Sequence, residues 1–209
     1  MTITTPHRAL VVIDVQNEYF TGNLLIKHPP VQQSLPNIAR AMDAARAAGI
    51  PVVVVQHSEA AGAPLFAKGS PTWELHEVVE GRPRDHYIEK AWPSVFTGTD
   101  FADWLKQNRI DTLTVIGYMT HNCDASTIFE ATHRGLQVEF LQDATGALPY
   151  ANTAGSATAE EIHRVFSVVF HTRFAAVAST DEWISAVQAG QALKKGNILV
   201  SNQAALALA

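Results

Sequence analysis

Short runs of branched apolar residues recur along this chain, and segments with a helical pattern separate them. The strand-like runs cover residues 9–15, 51–57, 86–90, 112–118, 136–144 and 174–180. Helical patterns cover residues 34–50, 100–110, 120–135, 154–170 and 180–190, with Ser34, Asp100 and Thr120 as expected N-caps. Strands that alternate with helices predict βαβ units. The chain should therefore form an α/β fold in which helices cover both faces of a parallel sheet.

We expect residues 1–190 to form a single domain, because no internal repeat or linker interrupts this alternation. Residues 58–85 are rich in Gly, Pro and small residues, with one short helix expected. A loop of this length in a compact domain is usually functional. The tail 191–209 has no clear periodicity. It is either an arm that packs on a neighbouring subunit or a disordered terminus.

Composition and charge exclude several classes of partner. The chain is 47% hydrophobic and 17% charged, as in compact globular proteins. Its formal net charge is −5 and no Lys/Arg run stands out, so we expect neither nucleic acid nor a membrane as a partner. The N-terminal apolar run meets Asp14 too early for a signal segment or a membrane span. A single cysteine excludes a disulfide framework and a multi-cysteine zinc site, and it favours a cytoplasmic location.

Three chemically useful side chains stand at the ends of predicted strands. Asp14 closes the first apolar run, Lys90 closes the third, and Cys123 follows the fourth. In parallel sheets, ligands bind beyond the carboxyl ends of the strands, near the point where strand order reverses. Thr120 as an N-cap would place Cys123 in the first helical turn, where the helix dipole stabilises a thiolate. The alternative for a lone cysteine is a small buried hydrophobic residue.

If these three side chains converge, they supply a nucleophile and its base. A carboxylate accepts the thiol proton, and a lysine ammonium stabilises the thiolate and orients the carboxylate. The thiolate then attacks a carbonyl carbon, while backbone N–H groups at the turn bind the oxyanion. Asp14, once protonated, passes its proton to the leaving amine. Lysine here takes the place of the more familiar histidine.

Three segments resemble the signature regions of the isochorismatase-like cysteine hydrolase family. They read VVIDVQNEYF, IEKAWPSVFTGTDF and GYMTHNCDASTIFEATHRGLQVEFLQDA. The resemblance extends from about Ala9 to Ala186. Its most specific element is the pattern G-x-x-T-x-x-C at Gly117, Thr120 and Cys123, accompanied by an early Asp-x-Gln and a mid-chain Lys.

This resemblance implies a three-layer α/β/α sandwich with a mostly parallel, Rossmann-like sheet. It implies a catalytic triad of Asp14 as base, Lys90 as its charged partner and Cys123 as nucleophile. It also implies an oxyanion hole from the backbone N–H groups of Met119 and Cys123, preceded by a cis peptide between Tyr118 and Met119. The resemblance and the apolar tail together indicate a homodimer or homotetramer.

Departures from the family pattern narrow the expected chemistry. Nicotinamidase members carry Asp-x-His after the second strand to hold a divalent metal, whereas His57 lacks the Asp partner. We therefore expect no metal and no other cofactor, with His57 as a hydrogen-bonded loop residue. Members that act on isochorismate itself lack the cysteine, so Cys123 argues against that reaction. Asp124 is either a helix-dipole carboxylate or a contact for a cationic or polar substrate.

Seven further residues near the triad are expected to line a substrate pocket. They are Gln16, Tyr19, Phe20, Trp92, Tyr118, Thr120 and His121. For each aromatic residue in this set, core packing is the alternative. His163 and His171 are predicted to lie on a helix surface and at a strand edge, with no role in the site.

The function that we predict is metal-independent hydrolysis of a C–N bond in a small amide, through a thioester on Cys123. Carbamoyl, ureido and lactam compounds are the candidate substrates, by analogy with the family. A thiol-redox protein of the same fold is a second hypothesis, weakened because the chain has no second cysteine. A non-catalytic binding protein is a third, and the presence of Asp14, Lys90 and Cys123 together counts against it.

Overall fold

The computed structural model describes residues 5–208, and the centre of this part of the chain is a six-stranded parallel sheet. The strands are β1 (Arg8–Ile13), β2 (Val52–His57), β3 (His86–Lys90), β4 (Thr112–Tyr118), β5 (Gln137–Gly146), β6 (Tyr150–Asn152), β7 (Gly155–Ala157) and β8 (Ala176–Ala178). The helices are α1 (Val31–Ala47), α2 (Glu77–Glu80), α3 (Phe101–Gln107), α4 (Ala125–His133), α5 (Ala159–Val169), α6 (Thr180–Gln188) and α7 (Ile198–Leu206). Strands β6 and β7 form a separate antiparallel hairpin. The predicted α/β fold with a mostly parallel sheet is confirmed.

The order of strands in the sheet is β3-β2-β1-β4-β5-β8. From β1 the chain first builds outward to β2 and β3, and then returns to place β4 on the other side of β1. The strand order therefore reverses between β1 and β4. In open parallel sheets, this is the place where a crevice opens at the carboxyl ends of the strands.

Each face of the sheet is buried under a separate hydrophobic core. In β1, Leu10 and Val12 point into the core that α1 and α6 cover, whereas Val11 and Ile13 point into the core on the opposite face. Because successive side chains of a strand point to opposite faces, a strand covered on both sides must be apolar throughout. This explains the uninterrupted apolar runs in the sequence, and it gives the three layers of the fold.

The starts of two helices differ from the prediction. Helix α1 begins after Pro30 rather than at Ser34, and the buried Ser34 hydroxyl lies inside the helix, 2.7 Å from the Tyr118 hydroxyl. Asp100 precedes α3, but its carboxylate makes no capping hydrogen bond and instead lies 3.0 Å from His86 Nε2. In both cases a tertiary contact occupies the side chain that the sequence would use as a local cap.

The hairpin β6–β7 and helix α7 are elements that the sequence analysis does not predict. The hairpin delays the start of α5 to Ala159, which follows a capping box between Thr158 and Glu161. Helix α7 lies in the tail, where Asn197 Oδ1 accepts hydrogen bonds from the first turn. The prediction that His163 lies on a helix surface is wrong, because its side chain is buried in the structure. Within residues 5–208, no helix combines the length and apolar character needed to cross a bilayer.

Candidate active site

Asp14 stands directly after β1, at the reversal point of the sheet. Its backbone φ is +50°, a left-handed conformation that is uncommon outside glycine and tends to occur at functional sites. Its N–H donates to the Val55 carbonyl, which fixes the residue to the neighbouring strand. The side chain is fully buried, and its Oδ2 accepts a hydrogen bond of 2.7 Å from Lys90 Nζ. Asp14 is thus held with its carboxylate directed at the edge where the strands end.

Lys90 is the last residue of β3 and reaches across the end of β2 to this carboxylate. Its Nζ lies 2.7 Å from Asp14 Oδ2, 3.3 Å from Cys123 Sγ and 3.4 Å from His57 Nδ1. An ammonium has three N–H donors, so each has one partner here. Burial is the largest single influence on Lys90 and would lower its pKa, but the charge of Asp14, the nearby Cys123 sulfur and the hydrogen bonds to both together raise it. The buried side chain is therefore a cation paired with Asp14.

Gly117 allows the end of β4 to lie against β1 at the site. It has φ +113° and is paired in register with Ile13. A Cβ at this position would lie 2.0 Å from the Ile13 carbonyl oxygen, a distance that backbone atoms cannot accommodate. The peptide that follows, between Tyr118 and Met119, is cis. The glycine of the G-x-x-T-x-x-C pattern is thus required by the close approach of two strands beside Asp14.

Cys123 lies in a π-helical turn, Thr120–Asp124, that precedes α4. Met119, not Thr120, is the N-cap residue of this turn. The expectation that Thr120 caps the helix is wrong, because its buried hydroxyl lies 2.9 Å from His163 Nδ1 and is used in tertiary packing. Cys123 remains close to the start of the helix, with its sulfur 3.3 Å from Lys90 Nζ.

The environment of Cys123 favours a neutral thiol. Burial raises the pKa of the thiol, the negative charge of Asp14 raises it further, and Lys90 only partly opposes them. The expectation of a thiolate stabilised by the helix dipole is therefore not supported. Oδ1 of Asp14 accepts no hydrogen bond from the described residues, which leaves this oxygen available for the thiol proton.

A cavity of about 430 Å³ opens onto Cys123, a size suited to a small organic molecule. Its lining is Tyr19, Leu24, His57, Glu59, Ala63, Pro64, Leu65, Phe66, Pro93, Met119, Asn122, Cys123 and Tyr150. Most of these side chains are apolar. Four of the apolar lining residues, 63–66, come from the long loop that follows β2, and so does Glu59. The Met119 N–H, at the wall of the cavity, donates to none of the described groups and is free to bind an oxyanion.

Of the seven residues expected to line the pocket, the structure places Tyr19 there. Gln16 does not line it, because its buried amide bonds to the backbone of His57 and Trp73. Trp92 is 63% exposed and points to solvent. These side chains follow the triad residues in sequence, but the local backbone directs them elsewhere.

The other four expected residues pack around the site without lining the cavity. Phe20 packs against the rings of His76 and Tyr118, and Tyr118 is fully buried. Thr120 is also fully buried. His121 contacts the Tyr150 ring, and burial lowers its pKa to about 4. Neither ring nitrogen of His121 has a hydrogen-bond partner among the described residues.

Several cavity residues were not identified from the sequence. Glu59 and residues 63–66 lie in the loop that was expected to be functional, although its individual residues carried no motif. Tyr150 lies in the unpredicted hairpin. His57 lines the cavity and contacts both Lys90 and Glu59, so it is part of the site rather than a separate loop residue. No grouping of three or more His, Cys, Asp or Glu side chains within residues 5–208 has the arrangement of a metal site.

Asp124 differs from both interpretations that its position suggested. It is fully buried, and neither carboxylate oxygen has a hydrogen-bond partner in the described part of the chain. Burial, reinforced by the nearby charge of Asp14, raises the pKa of Asp124 well above its ordinary value, with Lys90 opposing. A buried carboxyl without partners is more stable in its neutral form. This environment favours the neutral form of Asp124, and the residue does not line the cavity.

Comparison with known proteins places this geometry in a family. The sequence profile of the Isochorismatase domain matches residues 8–182. Among solved structures, the chain is similar to an isochorismatase-type protein of Burkholderia xenovorans LB400, with 70% identity, a TM-score of 0.97 and coverage of 98% of each chain. It is also similar to the Secreted isochorismatase effector Isc1 of Verticillium dahliae, at 33% identity over 69% of this chain and 75% of that protein. The Ureidoacrylate amidohydrolase RutB of Methylobacterium radiotolerans is 29% identical over 85% of this chain and 78% of its own.

The matched region contains all six strands of the parallel sheet and the three side chains that meet at its carboxyl edge. It covers most of the chain. The protein therefore belongs to the isochorismatase family.

Proposed function

We propose that this chain, a hydrolase of non-peptide C–N bonds, cleaves a small amide, ureido, carbamoyl or lactam compound through a thioester on Cys123 and without a metal ion. The observation that carries the proposal is the position of Lys90, whose ammonium contacts both the Asp14 carboxylate and the Cys123 sulfur. A cation in this position stabilises the charge of the carboxylate in the resting state and the charge of the sulfur as it develops. The similarity to an amidohydrolase supports the reaction class.

The first half of the reaction forms the thioester. Asp14 takes the thiol proton as the sulfur attacks the carbonyl carbon, and the negative charge moves to the carbonyl oxygen. The backbone N–H groups of Met119 and Cys123 stabilise this oxyanion, each contributing about 3–4 kcal/mol in comparable sites. When the C–N bond breaks, Asp14 returns its proton to the leaving nitrogen. A neutral resting thiol fits this sequence, because the sulfur gives its proton to Asp14 only as it attacks.

The second half hydrolyses the thioester. Asp14 takes a proton from water, the hydroxyl attacks the acyl carbon, and the C–S bond breaks to release the carboxylic acid. The sulfur leaves as a thiolate beside Lys90 and recovers its proton from Asp14. The net reaction consumes one water and yields an acid and an amine. Asp14 and Lys90 end each cycle in the charged state in which they began.

The test is turnover of a panel of primary amides, ureido compounds, carbamoyl amino acids and lactams, with product release measured by chromatography. Turnover of at least one class should fall by at least ~10³-fold in Cys123→Ala. It should be unaffected by a chelator, and mass spectrometry of the quenched reaction should show an acyl adduct on Cys123. Retained turnover in Cys123→Ala, or its loss on chelation, would contradict the mechanism. Failure of every class would favour the binding-protein hypothesis.

We further propose that residues 1–190 act as one domain, and that the tail serves as an arm in a cytoplasmic homodimer or homotetramer. The support is in α7, where Ile198, Leu199, Val200 and Leu206 are all more than half exposed. Apolar side chains on a helix usually require a partner surface. Light scattering on the full chain and on a Leu199→Glu, Val200→Glu variant tests this. An oligomer whose mass does not change in the variant would contradict the role of α7.

A further inference from the structure

Glu59 is an acidic side chain in an otherwise neutral cavity wall. Of the described residues that line the cavity, it is the only Asp, Glu, Lys or Arg. Lys90, the cation beside Cys123, is buried and already paired with Asp14. Glu59 forms no ion pair with a lysine or arginine of the described chain. Its carboxylate contacts one ionisable side chain, the imidazole of His57. The wall therefore carries a carboxylate that no lysine or arginine of the described residues neutralises.

The backbone of Glu59 is held in place on the loop. Its N–H donates to the Phe66 carbonyl at 3.0 Å, and its carbonyl accepts from the Lys68 N–H at 3.1 Å. These two bonds close the segment 59–68 into a flap. Phe66 in turn packs edge-on against the His57 ring at 5.1 Å. The position of the carboxylate is thus set by the fold of the flap.

A chain of contacts also orients the carboxylate toward the reacting groups. Lys90 Nζ lies 3.4 Å from His57 Nδ1, and His57 Nε2 lies 3.1 Å from Glu59 Oε1. An ammonium can only donate, so Nδ1 accepts and Nε2 is the nitrogen that carries a proton and donates to Glu59. This uses one carboxylate oxygen. The other, Oε2, receives no hydrogen bond from residues 5–208 and remains available at the half-exposed end of the side chain.

We propose that Glu59 selects the substrate class of this site: small amides that carry a cationic or N–H-donating group, in preference to amides that carry a carboxylate. The inference rests on the proposed amide hydrolysis for its substrates, and on the cavity geometry alone for its charge preference. A ligand ammonium or N–H group binds Oε2, whereas a ligand carboxylate is repelled by it. The apolar wall from residues 63–66 accommodates the uncharged body of the substrate.

The charge preference is measurable without any turnover, because Cys123 is the only cysteine. The probes are methanethiosulfonates that carry a trimethylammonium or a sulfonate group, and their rates on Cys123 are normalised to those on a free thiol in solution. The normalised ratio of cationic to anionic rates should exceed one in the native protein. It should fall by roughly fivefold in Glu59→Gln and reverse in Glu59→Lys. Glu160→Gln, at an exposed glutamate of α5, is the matched control and should leave the ratio unchanged.

A second arm uses 5-aminopentanamide and glutaramate, two primary amides of matched length and opposite charge. The cationic amide should have the higher kcat/KM, and Glu59→Gln should remove most of the difference. An unchanged probe ratio in Glu59→Gln would overturn the inference, whatever the turnover. If no amide reacts but the probe ratio shifts as expected, the proposed hydrolysis fails while the charge preference of the cavity stands.

Discussion

Lys90 and Asp14 form an ion pair of 2.7 Å in which both side chains are completely buried. Each charge is tolerable at this depth only because the other is present. The same pair lies beside the Cys123 sulfur, so the arrangement that satisfies folding also creates the environment of the nucleophile.

Removal of the cation should therefore be costly for stability. Lys90→Met leaves the Asp14 carboxylate buried and unpaired, and the free energy of unfolding should fall by about 3–5 kcal/mol. Lys68→Met breaks an exposed pair with Glu89 and should cost about 1 kcal/mol or less. Urea denaturation measures both. Adding Asp14→Asn to Lys90→Met should recover much of the loss, and equal effects of the two single lysine substitutions would show that the buried pair does not act as described.

The reactivity of Cys123 should follow the raised pKa of its thiol. The pH profile of alkylation by iodoacetamide should give an apparent pKa above that of N-acetylcysteine, because burial and the Asp14 charge both disfavour the thiolate. Asp14→Asn removes a nearby negative charge and should lower this apparent pKa. Asp103→Asn, at an exposed position of α3, is the control. An apparent pKa below the free value in the native protein would contradict this environment, in which burial and Asp14 outweigh Lys90.

Asp124 should make the stability of the protein depend on pH. Its pKa in the folded state is raised above the unfolded value of about 3.9. The folded state therefore binds more protons between these two values, and stability falls as pH rises through that interval. Asp124→Asn has no such proton. As pH rises through this interval, its free energy of unfolding should therefore increase relative to that of the native chain, by up to about 1.4 kcal/mol per pH unit.

Urea denaturation of both proteins between pH 5 and pH 8 measures this difference. The charged neighbours of Asp124 are Asp14 and Lys90, which are the same in both proteins. Asp103→Asn again corrects for the loss of a surface acid. A difference between the native chain and Asp124→Asn that does not vary with pH would show that Asp124 is charged in the folded state.

Gly117 and Gly155 allow steric clash to be separated from backbone strain. Both have positive φ, +113° and +133°, but a Cβ at Gly117 meets the Ile13 carbonyl at 2.0 Å, whereas a Cβ at Gly155 meets nothing within 4 Å. Gly155→Ala should cost about 1–3 kcal/mol from strain. Gly117→Ala should cost more than about 4 kcal/mol or prevent folding. Thermal denaturation and soluble yield are the measurements, and similar effects at the two positions would refute the role of the close approach.

Their positions at strand ends marked Asp14, Lys90 and Cys123 as candidates, and the family resemblance grouped them as a triad. Their mutual distances follow from the sheet, and their roles remain our proposal. Gln16 was misplaced, since periodicity does not tell whether an amide points to a ligand or to the backbone of a neighbouring loop. Glu59 was not predicted as a site residue, because its position depends on backbone hydrogen bonds to Phe66 and Lys68. No sequence motif in the loop indicates these bonds.

Asp124 shows a further limit of sequence periodicity. In an ordinary α-helix, the residue spacing would set which face of the helix Asp124 occupies. The turn Thr120–Asp124 is a π-helix instead, which has more residues per turn and therefore rotates later side chains to a different face. This change of winding is invisible in the residue spacing. In the structure, the side chain after the cysteine is fully buried.

The site is built from two parts of the chain, the flap 59–68 and the carboxyl edge of the sheet. These two parts should tolerate substitution to different degrees. The groups proposed for bond cleavage are embedded in strand ends whose packing tolerates little change, as the contact between Gly117 and Ile13 shows. The flap is closed by two backbone hydrogen bonds, and Phe66 attaches it to the rest of the protein by packing on Tyr19 and His57. If Glu59 selects the substrate as proposed, exchanging the rest of the flap while keeping Phe66 should change the charge preference of the cavity and leave the groups at the sheet edge in place.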